Sequence, residues 1–481
     1  MKMKRFLIAC VALLCTATQL YAQDGNNTAF LLPNAAHRYR MNAAYQPEYK
    51  SVVGIPVLSG INFGYMNNSF GIDEILFKRS SYECDSLILD VDALRSKMRK
   101  DFRIHTNLDM NILSVAFRTG KKSYFSFDVG VKLDAGFGFD KALVDFIAEG
   151  NAPYLGSVQS LGGMALDASA YVEAAFGYSR IINDQWTVGG RLKVLFGALD
   201  ANVKNTQISL ESPANGESVL IKSRQEIYLS APITGIPIGT AMPIEDFFND
   251  IDFDAELMTD AMSNLGFAVD LGATYKFNDD WTFGASVNDL GFINWKSNVY
   301  KLVSDDEFNW EGADLSNSVN ENDPDYVEVD DAFENMVDSL TSSFTVLASN
   351  DSYCRMLNAK VNLHATYHLN KRVNFSALVR GVAMADKFYP SMTLAANVRP
   401  VKNLGLSVSY SVYEGNFANI GIGIAPRFGG VQPYLVVDNV LAGNFTHARS
   451  ASLRFGINFV GAAMFGKRAE KKGNAIAWRA D

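Results

Sequence analysis

Beyond residue 22 the sequence has no run of eighteen apolar residues, which excludes a membrane-spanning helix from that part of the chain. Cysteine is nearly missing as well. Of four, two fall within the first 22 residues, leaving Cys84 and Cys354, too few for a disulfide-stapled scaffold. Histidine numbers five, and no HExxH, GxSxG, phosphate-binding loop or dinucleotide fingerprint occurs. The GxG pairs in "GFGFD" and "GIGIAP" have no helix pattern behind them. Catalytic residues and cofactors are therefore not expected, and the chain reads as a non-enzyme.

Positive charge is missing from one long stretch. Residues 302–354 hold fourteen Asp and Glu and no Lys or Arg, while the whole chain carries a net charge of −9. The acidity belongs to one solvated loop and not to the body, which argues against a nucleic-acid partner. Within it, "NENDPDYVEVDD" puts Tyr326 where an EF-hand calcium loop needs glycine, which leaves a looser calcium-binding surface loop as the alternative to a merely solvated one. His364 and His368 could share a metal on a helix, but on a strand they stand roughly 13 Å apart. No metal site is assigned, and both rings are read as polar lumen groups.

What the sequence does contain is export and alternation. "MKMKRFLIACVALLCTATQLYAQ" has a basic start, an apolar middle and a small-residue end, the pattern of a signal peptide (residues 1–22) cut between Ala22 and Gln23. In "YFSFDVGVKLDAG", Phe125, Phe127, Val129, Val131 and Leu133 alternate with Ser126, Asp128, Gly130, Lys132 and Asp134. The same period of two fills Met164 to Tyr178, Trp186 to Phe196, Leu265 to Phe277, Leu357 to Leu369, Met392 to Val398, Leu404 to Val412 and Ala451 to Phe459. Such strands have one greasy and one polar surface.

Tight turns near Gly120, Asn183, Asn278, Asn370, Lys402 and Gly429 alternate with long segments such as 67–103, 135–163 and 291–356. Short turns on one rim and long loops on the other predict an all-β transmembrane barrel in the outer membrane, of about 14 strands (12–16). Its expected bounds are residues 57–465, with residues 23–56 as an N-terminal segment able to plug the lumen and residues 466–481 as a basic periplasmic tail. Residues 201–211 and 218–228 carry charges on both faces and read as a hairpin projecting beyond the membrane. Tyr178, Trp186, Tyr275, Trp281 and Tyr367 flank the tight turns, where amphipathic rings suit a membrane interface. Asp128, Lys132, Asp134, Arg191, Lys193, Asp270, Lys276, Arg380 and Arg454 fall on polar faces and are expected in the lumen. Asp167 and Arg399 share that pattern. Charges of both signs suit a plugged or narrow barrel better than a wide pore. Cys84 and Cys354 fall in loops expected on one rim, which makes them a candidate disulfide, with two separate thiols as the alternative.

The segment "RMNAAYQPEYKSVVGIPVLSGINFGY", followed by an expected extracellular helix over Glu83 to Lys100, resembles a family of Bacteroidota outer-membrane β-barrel proteins defined as a domain of unknown function. That family is similar in plan to fourteen-stranded FadL-type barrels, including those associated with type IX secretion. Many relatives have asparagine-proline where this chain has Asn42-Ala43. The resemblance implies lipid around the wall and a hydrophobic or small amphipathic ligand. The amphipathic stretches "FDKALVDFIAEG" and "IEDFFNDIDFDAELMTDAM" would then form a greasy vestibule. The other reading is a non-transporting scaffold that anchors surface or periplasmic protein partners, with those stretches capping the barrel.

Charge placed at Val129 or Phe455, both on apolar faces, is expected to cost about 2 to 4 kcal/mol near the bilayer midplane, whereas change at Lys132 on a polar face is expected to be mild. Denaturant titration of the lipid-embedded protein measures both.

Overall fold

The computed structural model of the chain describes residues 26–461 apart from 81–84, 163, 216–217, 235–238, 240, 244–251, 254–262, 311–344, 350, 385–386, 414–415 and 444–447. The cleavage site Ala22–Gln23, Cys84, the tail 466–481, the "NENDPDYVEVDD" stretch and nearly all of "IEDFFNDIDFDAELMTDAM" lie outside the described residues.

Fourteen antiparallel strands form a closed wall. β1 runs in two pieces, Ser51–Gly54 and Ile61–Asn67, followed by β2 (Asp101–Thr119), β3 (Ser123–Asp140), β4 (Ala165–Ile181) and β5 (Trp186–Ser212). β6 is Leu265–Lys276 and β7 is Trp281–Trp295, while β8 is again divided, into Tyr353–Met356 and Lys360–His368. Then come β9 (Val373–Met384), β10 (Lys387–Val401), β11 (Leu404–Tyr413), β12 (Asn416–Pro426), β13 (Val431–Val437) and β14 (Ser450–Val460). Each pairs with its successor, and β14 closes on both pieces of β1 through Val52↔Val460 and Ile61↔Phe455. The wall thus begins at Ser51, earlier than the expected residue 57, because Ser51–Gly54 is paired on both sides.

The expected tight turns form as predicted, and three share one device. The Oδ1 of Asn183, Asn278 and Asn370 accepts from the backbone N–H groups two and three residues on, at 2.7–3.0 Å. An asparagine side chain supplies the turn with the acceptor that the bend denies the backbone. Gly120 and Gly429 serve two others with φ of 65° and 60°. The opposite rim is more uneven than expected. Long segments leave β1, β3, β5, β7 and β13, but Met384 to Lys387 and Tyr413 to Asn416 are nearly as tight as the turns.

Outward apolar residues ring the wall: Phe63 on β1, Phe117 on β2, Phe176 on β4, Phe267 on β6, Leu363 on β8 and Leu435 on β13 are all exposed. In water such a continuous band would be an aggregation surface; in a bilayer it faces acyl chains.

β5 is 27 residues long, roughly 90 Å at strand rise, against the 9–11 residues that cross a bilayer. Its far half pairs with Val219–Ser230, forming the expected hairpin, but the hairpin does not stand alone. Val219–Ser230 also pairs along its whole length with Val299–Trp310, which pairs with Thr345–Ser349, and that with Ala241–Pro243. Ser157–Gly162 adds to the other side of β5. The acidic stretch read as one loop therefore starts as a strand in this extracellular sheet, over Leu302 to Trp310.

The helix expected over Glu83 to Lys100 is shorter, covering Val91–Lys97 (α2), because Asp85–Leu89 pairs with Leu76–Ser80 as a hairpin. "FDKALVDFIAEG" forms Lys141–Glu149 (α3), capped by Asp140. The two helices are joined by Arg95 to Asp145 at 2.9 Å and Arg95 to Glu149. At the same mouth Glu74 accepts from Lys97 at 2.7 Å and Arg449 at 3.3 Å. Burial pushes its carboxyl up, but Lys97, the Gly71 N–H and Arg449 hold it down at about 2.

Replacing Asn183, Asn278 or Asn370 by Ala removes two hydrogen bonds each and is expected to cost about 1 kcal/mol per hairpin, additively across the three. Urea titration of the folded band on unheated gels reads this out.

Candidate functional site in the barrel lumen

The lumen is occupied by the chain's own residues 26–50. A short helix, Asn27–Leu31 (α1), and a 3-10 turn, Ala36–Arg40, are almost wholly buried, and Asn34 between them turns with φ of 65°. The contacts go to strands all round the wall. Thr28 N–H donates to Asp438 Oδ1 (2.9 Å), and its hydroxyl meets Ser409 (2.6 Å). Gln432 of β13 accepts from Ala36 N–H (3.1 Å) and donates to Asn34 O (2.7 Å). Met41 O accepts from Ser286 on β7 (3.1 Å), Gln46 Oε1 accepts from Arg118 on β2 (2.6 Å), and Glu48 is gripped through both oxygens by Arg399 on β10 (2.7 and 3.2 Å).

The wall is shaped for this segment. A β-carbon at Gly272 would collide with Asn42 and the Ala43–Ala44 backbone, and one at Gly421 with Thr28. Both glycines give room for a close approach of another piece of chain.

An ionic belt crosses six consecutive strands and ends on the segment. Arg40 Nε lies 3.1 Å from Asp128 on β3, and Tyr39 OH donates to the same carboxylate at 2.8 Å. Asp128 meets Arg191 on β5 (3.0 Å), which meets Asp270 on β6 (3.0 Å). Asp270 meets Lys193 (2.9 Å), and Lys193 meets Asp289 on β7 (2.5 Å). Asp289 also takes Lys132 on β3 (3.4 Å) and Lys360 on β8 (3.3 Å), and Lys132 reaches Glu173 on β4 (3.3 Å). Asp128 and Arg191 come together across β4 because Ala175 and Gly177 lie between them in the register and carry little side chain.

Asp128, Arg191, Lys193 and Asp270 are thus brought into one cluster. Lys132 joins it, which corrects the expectation that change there is mild: its ammonium is buried between two carboxylates. Arg454 lies apart, on Asp109 (3.0 Å), and Asp134 faces His105 at 3.8 Å. Lys276 sits at the turn-side rim with Asp279 (2.8 Å), and Arg380 is buried on β9. Asp167 pairs with Arg355 toward the loop side. Trp186 packs tilted against Tyr275 (ring centroids 4.6 Å apart), Trp281 against Tyr367 (5.0 Å) and Tyr178 against Phe125 (4.9 Å), all at the turn-side rim. Cys354 is exposed on β8, opposite in face to the buried Tyr353. Sequence reasoning missed Arg40, Glu173, Asp289 and Lys360. Glu173 and Lys360 stand on polar faces and were available; Asp289 was hidden by a bulge opposite Val269 and Leu271, where its φ of 58° breaks the alternation.

His364 packs its ring edge-on to Phe30, centroids 5.2 Å apart, and His368 meets the Thr282 hydroxyl at 3.3 Å. No cluster of three metal-ligating side chains occurs among the described residues.

Closed wall, apolar outer band, ringed turns and paired polar interior define a fourteen-stranded transmembrane barrel of the outer-membrane type. The chain belongs to the family of unknown function DUF5723, whose model matches residues 44–438. No curated protein matches it. Among solved structures it is similar to the Pseudomonas putida toluene transporter TodX (8% identity over 92% of this chain and 93% of that one, TM-score 0.36). It is also similar to a Pseudomonas aeruginosa FadL homologue (9%, covering 92% and 99%, TM-score 0.37) and the translocator domain of the autotransporter NalP from Neisseria meningitidis (7%, covering 83% and 88%, TM-score 0.27).

Asp128→Asn would leave Arg40 and Arg191 facing a neutral amide, a loss of about 3 to 5 kcal/mol for such a buried partner. Faster hydrogen exchange across residues 28–45, with the wall amides still protected, is the expected outcome.

Proposed function

We propose that this protein is a gated channel of the outer membrane for small amphipathic or hydrophobic compounds, held shut by residues 26–50. One observation carries the reading: two cavities of about 60 Å³ each are stacked along β7–β9, and Phe30 borders both. The cavity nearer the turns touches Thr282, His368 and Asn374; the one nearer the loops touches Asn288, Lys360 and Arg380. Between them Phe30 meets His364 and packs with Leu31 against the buried Leu378. Two cavities separated by a residue of the resident segment are what a gated passage requires. The lining mixes Phe30, Leu31 and Tyr45 with charged and amide groups, which suits a solute with both a polar and an apolar part.

A surface scaffold is the second reading, and two features favour it. The apolar face of α3 is consumed in a cluster of Phe146, Leu161, Leu210, Val219 and Ile221, so it leaves no greasy vestibule there. The extracellular sheet offers a broad ordered platform.

Reconstituting the full chain in vesicles separates them. Gly272→Val and Gly421→Val unseat the segment without touching lipid-facing residues, and flux of a small amphipathic dye should rise several-fold over the native protein. Folded variants that remain as tight as the native barrel would reject the channel in favour of the scaffold.

A further inference from the structure

We propose that the cavity on the turn side of Phe30 is a binding site for a carboxylate-sized oxyanion that holds residues 26–50 in their seat. Eight of its lining residues come from the segment itself, Asn34, Arg38 and Asn42 among them. The Oδ1 of Asn34 accepts from Tyr49 OH (2.8 Å) and that of Asn42 from Ala44 N–H (2.9 Å). These bonds fix which way each amide points and leave both Nδ2 groups buried without a partner. On the wall side, Thr274 Oγ1 and His364 Nδ1 are likewise buried and unpartnered. Four orphaned polar atoms on the residues around one cavity are a cost the fold would shed by binding something.

Charge selects what that is. Arg38 is fixed by its Nε–H to Phe30 O (2.8 Å) and by stacking over Tyr45 (4.3 Å), and no carboxylate among the described residues pairs with it. The one acid of the cavity lining, Glu48, is already held through both oxygens by Arg399. One guanidinium, two amide NH₂ groups and a hydroxyl present donors in excess, which an oxyanion satisfies and a cation does not. The volume of about 60 Å³ has room for a carboxylate group or for a few waters. The ligand is therefore a small free acid or the head of an amphipathic one.

Binding across segment and wall makes the seated state depend on ligand concentration, which deepens the gated reading. It is measured without transport, so either can fail alone. The full chain in detergent is titrated with acetate, with octanoate to test an attached tail, and with acetamide as the neutral match. At free acetate about ten times its dissociation constant, exchange of amides 28–45 that proceeds through unseating should slow about tenfold. Arg38→Gln should abolish this protection, and Thr274→Val, a milder change, should weaken acetate several-fold. Octanoate protecting where acetate does not assigns the site to amphipathic acids; both protecting assigns it to the carboxylate alone. Equal protection by acetamide, unchanged protection in folded Arg38→Gln, or two ordered waters in a structure determined in acetate would overturn the proposal.

Discussion

Every backbone donor and acceptor in the hydrocarbon must be paired, and a chain that crosses by strands can meet that demand only by closing its sheet. The pairing of β14 with β1 is the closing step, and much else follows from it. Closure gives each strand one face to lipid and one to the interior, so period-two alternation becomes obligatory. It also creates an interior too wide for the wall's own side chains to fill, yet lined by residues whose polarity the alternation demands. Polar groups withdrawn from water must then find partners, and the belt from Lys360 to Arg40 is how this barrel supplies them.

The belt explains why the N-terminal segment is part of the fold and not an appendage. Asp128 receives Arg191 from the wall and Arg40 from the segment, and it also accepts from Ser114 at 2.5 Å. Desolvating a carboxylate this thoroughly is tolerable only with all those partners in place. The segment thus completes an ionic arrangement that the wall begins. Its apolar residues add less, in small groups such as Ala29, Leu32 and Ala35 against Ala425, Tyr434 and Val436.

The wall was legible in the sequence because its rule is local: alternate residues, then a turn. Asn278 shows both, since the residue that ends one strand pattern also supplies the turn's hydrogen bonds. The extracellular sheet was less legible. Val299–Trp310 is paired across 69 to 91 residues to Val219–Ser230, and composition there records only acidity. The belt was half legible. Alternation identifies which charges face inward, but which of them meet depends on strand stagger, on the small residues Ala175 and Gly177, and on the bulge at Asp289. The mild change expected at Lys132 shows the limit: a polar face does not say whether water or a carboxylate stands opposite, and here Glu173 and Asp289 do.

Covalent continuity limits how the lumen can open. Residues 26–50 run directly into β1, whose Ser51 is fixed between β2 and β14 at the turn-side rim, so the segment is tethered at that end. The last residues before the tether are gripped most firmly, with Gln46 and Pro47 held by Arg118 and Glu48 held by Arg399. Thr28 and Asn34 meet the wall instead through neutral or singly charged bonds, to Asp438, Ser409 and Gln432. Such bonds exchange for water at little net cost once water enters, whereas the arginine pairs do not. The arginine grip thus lies at the tethered end of the segment, away from Phe30, the residue between the two cavities. Arg40 and Asp128 lie between α1 and the tether, so that pair sets how far a shift of α1 can extend toward Gln46 before the arginine grip at Gln46 and Glu48 stops it.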